Sequence, residues 1–102
     1  MKEYDIFVPS TFNDGQPIPA EKLTALKLIL VKQFGGLTYF PQENEGLWKI
    51  GRTTFRDRIT ILRVLTEDES EADLFLCNLK PELLKEFGQE EVLIVSRDVQ
   101  RL

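Results

Sequence analysis

Four arginines crowd one stretch of the chain, Arg52, Arg56, Arg58 and Arg63, with Asp57 among them. A guanidinium presents paired donors in a rigid fork, so two of them on one face of a strand can clamp a carboxylate or a phosphate. Arg56 and Arg58 have that spacing, because side chains two residues apart in a strand share a face. The same cluster also suits the rim of an interface, paired with Asp5 or with the acidic run further on. Trp48 stands between Gly46 and Gly51, where an indole can wall a small-molecule site, stack on a cation, or close one end of the core. Phe7 and Phe40 lie on strand-like segments near these arginines and invite comparison with sheets that stack RNA bases. That comparison fails on three counts. The central strand carries Thr60, Leu62 and Val64 where such sheets carry aromatics, the glycine-aromatic signature is absent, and the net charge is −4.

Catalytic candidates are few. The chain has no histidine, which removes the commonest general base and the commonest neutral metal ligand. Cys77, the single cysteine, has no imidazole to activate it and reads as a buried or inert thiol. The run Glu67, Asp68, Glu69, Glu71 and Asp73 lacks the glycine turn and ligand spacing of a calcium loop, and its charges suit the start of a helix. Glu43 and Glu45 form a carboxylate pair with nothing to hold them against a second reactive group. These residues lead to the expectation of no catalytic residue, no metal and no cofactor.

The frame that must position these side chains is written twice, fifty-three residues apart. Lys27, Leu30, Lys32, Phe34 and Gly35 recur as Lys80, Leu83, Lys85, Phe87 and Gly88, with Leu23 and Leu26 matching Leu76 and Leu79. Each copy is an amphipathic helix stopped by glycine. The same offset sets Ile6 and Val8 against Ile59 and Ile61, and Tyr39 against Val92. The repeated unit is strand, helix, strand, and two of them give an α+β domain of ferredoxin-like βαββαβ topology over residues 1–102, a four-stranded antiparallel sheet with two helices on one face.

Along the chain, Lys2 to Pro9 reads as a strand and Ser10 to Pro19 as a turn-rich connection. The first helix follows from about Pro19 to Phe34, then a short strand over Leu37 to Pro41. Gln42 to Thr54 reads as a strand extension or small hairpin, and Phe55 to Thr66 as a central strand. Thr66 and Glu69 have capping-box spacing before the second helix. Pro81 sits on the solvent side of that helix, and Val92 to Val95 closes the sheet.

If the repeat also sets the facing of the strands, Ile6, Val8, Leu37, Tyr39, Ile59, Ile61, Val92 and Ile94 point to the helices. The other face then holds Phe7, Thr38, Phe40, Thr60, Leu62, Val64, Leu93 and Val95. Six large apolar side chains on a face without a helix make a patch of several hundred square ångströms, roughly the size that monomers hide or use. Self-association sheet to sheet is the plain way to cover it, and a ligand pocket in or beside the sheet is the other.

In this layout, and in Phe34-Gly35-Gly36-Leu37-Thr38 followed by Gly46-Leu47-Trp48, the chain resembles the dimeric α+β barrel group of ferredoxin-like proteins. More loosely it is similar to an uncharacterised family of short bacterial proteins that carry these two segments. The barrel group includes cofactor-independent monooxygenases, haem-linked enzymes and small-molecule sensors, so the resemblance implies a fold and a dimeric habit. The histidines that many of those enzymes use are absent here.

The sequence therefore leads to a noncatalytic homo-oligomeric binding or assembly module in the cytoplasm. A single cysteine and a charged N-terminus without a long apolar run fit that compartment. Its partners are a second copy through the open face and a small-molecule ligand, with neither nucleic acid nor membrane. The ligand or interface residues are Phe7, Phe40, Trp48, Arg56, Arg58, Leu62, Val64, Leu93 and Val95. The alternative is a small-molecule enzyme or sensor with a cavity beside the sheet, served by Arg58, Asp57, Tyr39 and Trp48.

Overall fold

The computed structural model describes residues 1–102. Its elements follow in the order β1 (Lys2–Pro9), α1 (Ala20–Phe34), β2 (Thr38–Ile50), β3 (Thr53–Thr66), α2 (Glu69–Glu86) and β4 (Ile94–Asp98). The strands form one antiparallel sheet in the order β2-β3-β1-β4. This is a small α+β fold of four strands and two helices.

Both helices form where the apolar period of 3.6 residues predicts them. α1 buries Leu26 and Leu30, and α2 buries Ala72, Leu76, Leu79 and Leu83. These side chains meet Tyr4, Ile6, Val8, Leu62 and Val64 of the sheet in one core, closed by Phe87 and Val92. α1 ends at Gly35, whose φ of 81° is open to glycine and costly for other residues. α2 runs unbroken past Pro81, which lies on its exposed side.

The cap of α2 differs from the expected box. The Asp68 carboxylate, one residue before the helix, accepts from the Glu71 N–H at 3.1 Å, while the Thr66 hydroxyl accepts from the Asp68 N–H at 3.0 Å in the turn that precedes it. A carboxylate serves this position better than threonine, because it satisfies an orphan N–H and meets the positive end of the helix dipole. Asp68→Ala is expected to cost about 1 kcal/mol and lower the thermal midpoint by roughly 5 °C. Thr66→Ala, outside the helix, should lower it less in the same calorimetric scan.

The facing of β3 is the reverse of the expected one. Antiparallel pairing sets Leu62 opposite Ile6, Val64 opposite Tyr4 and Thr60 opposite Val8. Paired residues share a face, so Thr60, Leu62 and Val64 point to the helices and are buried, while Ile59 and Ile61 lie half-buried on the other side. Leu62 and Val64 are thus core residues and cannot contact a ligand or partner. The helix offset misleads here because the connections differ, ten residues between β1 and α1 against two between β3 and α2. A strand slipped by one residue exchanges its faces entirely.

The face without helices is also less apolar than expected. One end holds Phe7, Phe40, Ile59, Ile61 and Leu93, but the other is an ion network. Asp5, only 3% exposed, accepts from Arg63 at 2.8 and 3.1 Å and from Arg97 at 3.1 Å. Glu3 holds the same two guanidiniums at 3.1 and 2.6 Å. Arg63 also lies over the Phe40 ring, 4.9 Å from its centre. These arginines cover part of the sheet with their own stems, so the protein itself screens half of the face that seemed to need a partner.

β2 and β3 are longer than expected, 13 and 14 residues, and beyond the helices they continue as a two-stranded arm turned at Gly51. The pairing shifts between Phe40 and Asn44, where β2 carries extra residues against β3. Such a bulge bends a ribbon and increases its twist. The arm stretches the molecule to 42 × 29 × 25 Å with a radius of gyration of 14.1 Å, against roughly 13 Å for a compact chain of this size.

Candidate functional site

Three clefts combine apolar walls with polar groups. A narrow one of about 160 Å³ lies on the helix side between Val8, Ile18, Leu23 and Tyr39. A groove of about 320 Å³ runs between α2 and β4, where Tyr4 donates to Asp73 and Cys77 and Lys80 complete the wall. The third, about 400 Å³, opens where the sheet face meets the arm and is lined by Phe7, Ile59, Leu93, Trp48 and Asp57. Small-molecule sites fill roughly 300–1,000 Å³ and combine apolar walls with a few fixed polar groups. The first cleft falls below that range. The second offers no open aromatic face, since the Tyr4 ring is buried. The cleft under the arm has both.

Its geometry follows from the register. Gly46 pairs with Asp57 and Trp48 with Phe55, so these side chains share the face of Phe7, Ile59 and Ile61. The Trp48 Nε1–H donates to Asp57 Oδ2 at 2.5 Å, and the indole packs against Phe55 with ring centres 5.1 Å apart. Gly46 leaves room beside the indole, with only the Asp57 carbonyl near the place of a Cβ. On the floor, Glu91 is held by Lys80 at 2.7 Å and by the Val92 N–H at 2.9 Å, and the Lys80 ammonium keeps its carboxyl below the usual range. Gln89 reaches from the same rim to the Thr11 carbonyl at 3.1 Å. This ties the long β1-α1 connection to the end of α2, where Phe12 lies so close to Gly88 that a Cβ would stand 3.0 Å from its ring.

The expected site residues divide accordingly. Phe7, Trp48 and Leu93 meet in the cleft, joined by Asp57 of the enzyme alternative. Phe40 lies further along the same face beneath Arg63, and Val95 pairs opposite Asp5 beside the ion network. Arg56 and Arg58 are on the other side of the arm, at 3.2 Å from Glu45 and 3.5 Å from Glu43. The carboxylates that seemed to lack partners are therefore theirs, and no arginine fork points into the cleft. Tyr39 lies in the narrow helix-side cleft, its ring under the Lys27 ammonium at 3.7 Å. Trp48 does not close the core, being 42% exposed. Cys77 is exposed rather than buried. Residues that sequence reasoning missed are Ile59, Gln89 and Glu91. Arg63, the one charged residue between Ile59 and Thr66 and in phase with Ile59 and Ile61, was the signal that this set of β3 faces outward.

No three carboxylate or thiol groups converge as a metal ion would require. No helix is long and apolar enough to cross a membrane.

A small α+β fold with an aromatic, acidic cleft beside its sheet is the class these features define. No family model and no curated protein matches the sequence. Among solved structures, a phage SAM lyase in complex with S-methyl-5'-thioadenosine has this fold, with a TM-score of 0.65 and 16% identity over 95% of this chain and 80% of that one. The apo state of a phage SAM lyase gives a TM-score of 0.70 and 15% identity over 94% and 78%. This likeness shows the fold. It also corrects the expectation of a noncatalytic assembly module, since these two solved structures of the same fold are of an enzyme.

Proposed function

We propose that this chain is a small-molecule enzyme that takes S-adenosylmethionine, or a closely related adenosyl sulfonium, in the cleft under the arm. The observation that carries the reading is the pairing of a nucleoside-sized cleft, walled by Trp48 and Asp57, with a fold otherwise seen in a SAM lyase. An aromatic face beside a carboxylate suits a sulfonium cation, and apolar walls suit the uncharged thioether that it becomes.

The chemistry asks little of the protein. Release of S-methyl-5'-thioadenosine breaks the bond from sulfur to the γ carbon of the methionine part, and the sulfur keeps the electron pair. The substrate's own carboxylate can supply the new bond at that carbon, closing a five-membered lactone. No proton reaches the leaving group, which departs neutral, so the absence of histidine is no obstacle. The work left to the side chains is to hold a folded substrate and exclude water.

The βαββαβ element order and the strand order β2-β3-β1-β4 support placing the chain, as a single domain, among ferredoxin-like folds. The proposal includes a homodimer through the open face, supported by Ile61, half-buried there without a covering helix, and by the exposed Leu65. Light scattering across a concentration series tests it, and a monomer at every concentration sinks it. The exposed lone thiol of Cys77 fits a reducing compartment such as the cytoplasm.

Incubation with S-adenosylmethionine, followed by chromatography, should show S-methyl-5'-thioadenosine formed together with homoserine lactone or homoserine. Leu93→Trp, at a half-exposed position on the cleft wall, should lower that rate at least tenfold while leaving the melting temperature unchanged. A protein that neither forms nor binds S-methyl-5'-thioadenosine at millimolar concentration would falsify the reading.

A further inference from the structure

The Trp48 indole is held from two sides. Its Nε1–H is spent on Asp57 at 2.5 Å, and Phe55 packs against it at 5.1 Å with the planes 30° apart. Phe55 does not reach the cleft, whereas Trp48 lines it. What the indole offers the cleft is therefore ring surface alone, since its only hydrogen-bond donor is already used. Phe7, Ile59 and Leu93, all apolar, line the same cleft. A flat ring surface among apolar side chains suits a planar heterocycle. The second carboxylate of the cleft, Glu91, is already neutralised by Lys80 at 2.7 Å.

We infer that Trp48 is the stacking platform for a purine base, and that Asp57 is a positioning residue that fixes the plane of the indole through Nε1. The inference rests on the adenosyl reading of the cleft but concerns a different part of the ligand from the bond that breaks. Stacking reads the π-face and the apolar wall excludes water, so the base is bound for its shape.

Trp48 is the only tryptophan in the chain, so its emission reports this one ring. Adenosine and S-methyl-5'-thioadenosine should quench it saturably, while methionine and S-methylmethionine, which carry the amino acid and the sulfonium without a base, should not. Trp48→Leu should weaken binding of S-methyl-5'-thioadenosine by calorimetry about 10- to 100-fold, the range of one base-aromatic stack. Trp48→Phe, which keeps a ring, should recover most of it. Asp57→Ala should free the indole, lower its fluorescence anisotropy and weaken binding several-fold. Asp57→Asn, which keeps an oxygen acceptor without the charge, should restore both.

The outcomes separate this inference from the reading beneath it. Quenching by S-methylmethionine but not by adenosine overturns the platform, because the ring then takes the cation. Turnover of S-adenosylmethionine unaffected by Trp48→Leu also overturns it and leaves the proposed function standing. Saturable quenching by adenosine in a protein without turnover upholds the platform and removes the lyase. Asp57→Asn behaving like Asp57→Ala overturns the positioning role, since the charge and not the hydrogen bond would then be what matters.

Discussion

Asp5→Asn is expected to destabilise the protein by about 3 kcal/mol, and Asp5→Ala by about 3–5 kcal/mol. The carboxylate is almost wholly buried on the sheet face between two guanidiniums, and neither arginine has another partner as deep. Removing it strands two partly desolvated cations against each other. Glu3 still reaches both at 3.1 and 2.6 Å, which places asparagine, with its shape retained, at the lower end.

The effect must depend on pH in one direction. Hydrogen bonds from Arg63, foremost, and from Arg97 hold the Asp5 carboxyl below its ordinary value against the opposing pull of burial. A carboxyl lowered on folding stabilises the native state above its unfolded value, about 3.9, and loses that contribution as pH falls through the folded value. Urea titrations between pH 2 and pH 7 should therefore show a constant gap between wild type and Asp5→Asn above about pH 5, narrowing below about pH 4. A gap that widens on acidification would mean that Asp5 is not the charged centre of this network.

Leu62→Ala should be the second large effect, at about 2–5 kcal/mol, because Leu62 is fully buried between both helices and a cavity there has no room to collapse. Its neighbour gives the contrast. Ile61→Ala removes a similar amount of hydrocarbon from the half-buried outer face and should cost about 1–2 kcal/mol. The difference between adjacent positions on one strand reads its facing directly. Equal costs, or a larger one at Ile61, would restore the facing that the internal repeat suggests. The midpoints of denaturant unfolding for the two variants are sufficient to decide it.

These two variants mark where the sequence was legible and where it was not. The helices were plain, because Leu26, Leu30, Leu76, Leu79 and Leu83 recur with a period that only a helix can use. β1 was plain between its charged start and Pro9. β3 was ambiguous, since Ile59 and Ile61 are as apolar as Leu62 and Val64, and apolar content alone does not choose between two faces. The one charged residue of the stretch from Ile59 to Thr66 would have chosen. Arg63 runs with Ile59 and Ile61, and Asp5 stands ready in β1 as its cross-strand partner.

By itself the sequence determined the elements, the two-fold repetition of its helices, the acidic charge and the presence of one tryptophan between two glycines, Gly46 and Gly51. All of these follow from local periodicity and composition, which need no knowledge of what lies across the sheet. Tertiary structure decided which face of β3 is buried, that Arg56 and Arg58 neutralise Glu45 and Glu43, and that Trp48 meets Asp57, Phe7 and Leu93 in one cleft. The reason is register. Phe7, Asp57 and Leu93 are brought together by hydrogen-bonded pairing between strands, and a shift of one residue in that pairing would send Asp57 to the far side and leave Trp48 on a bare arm.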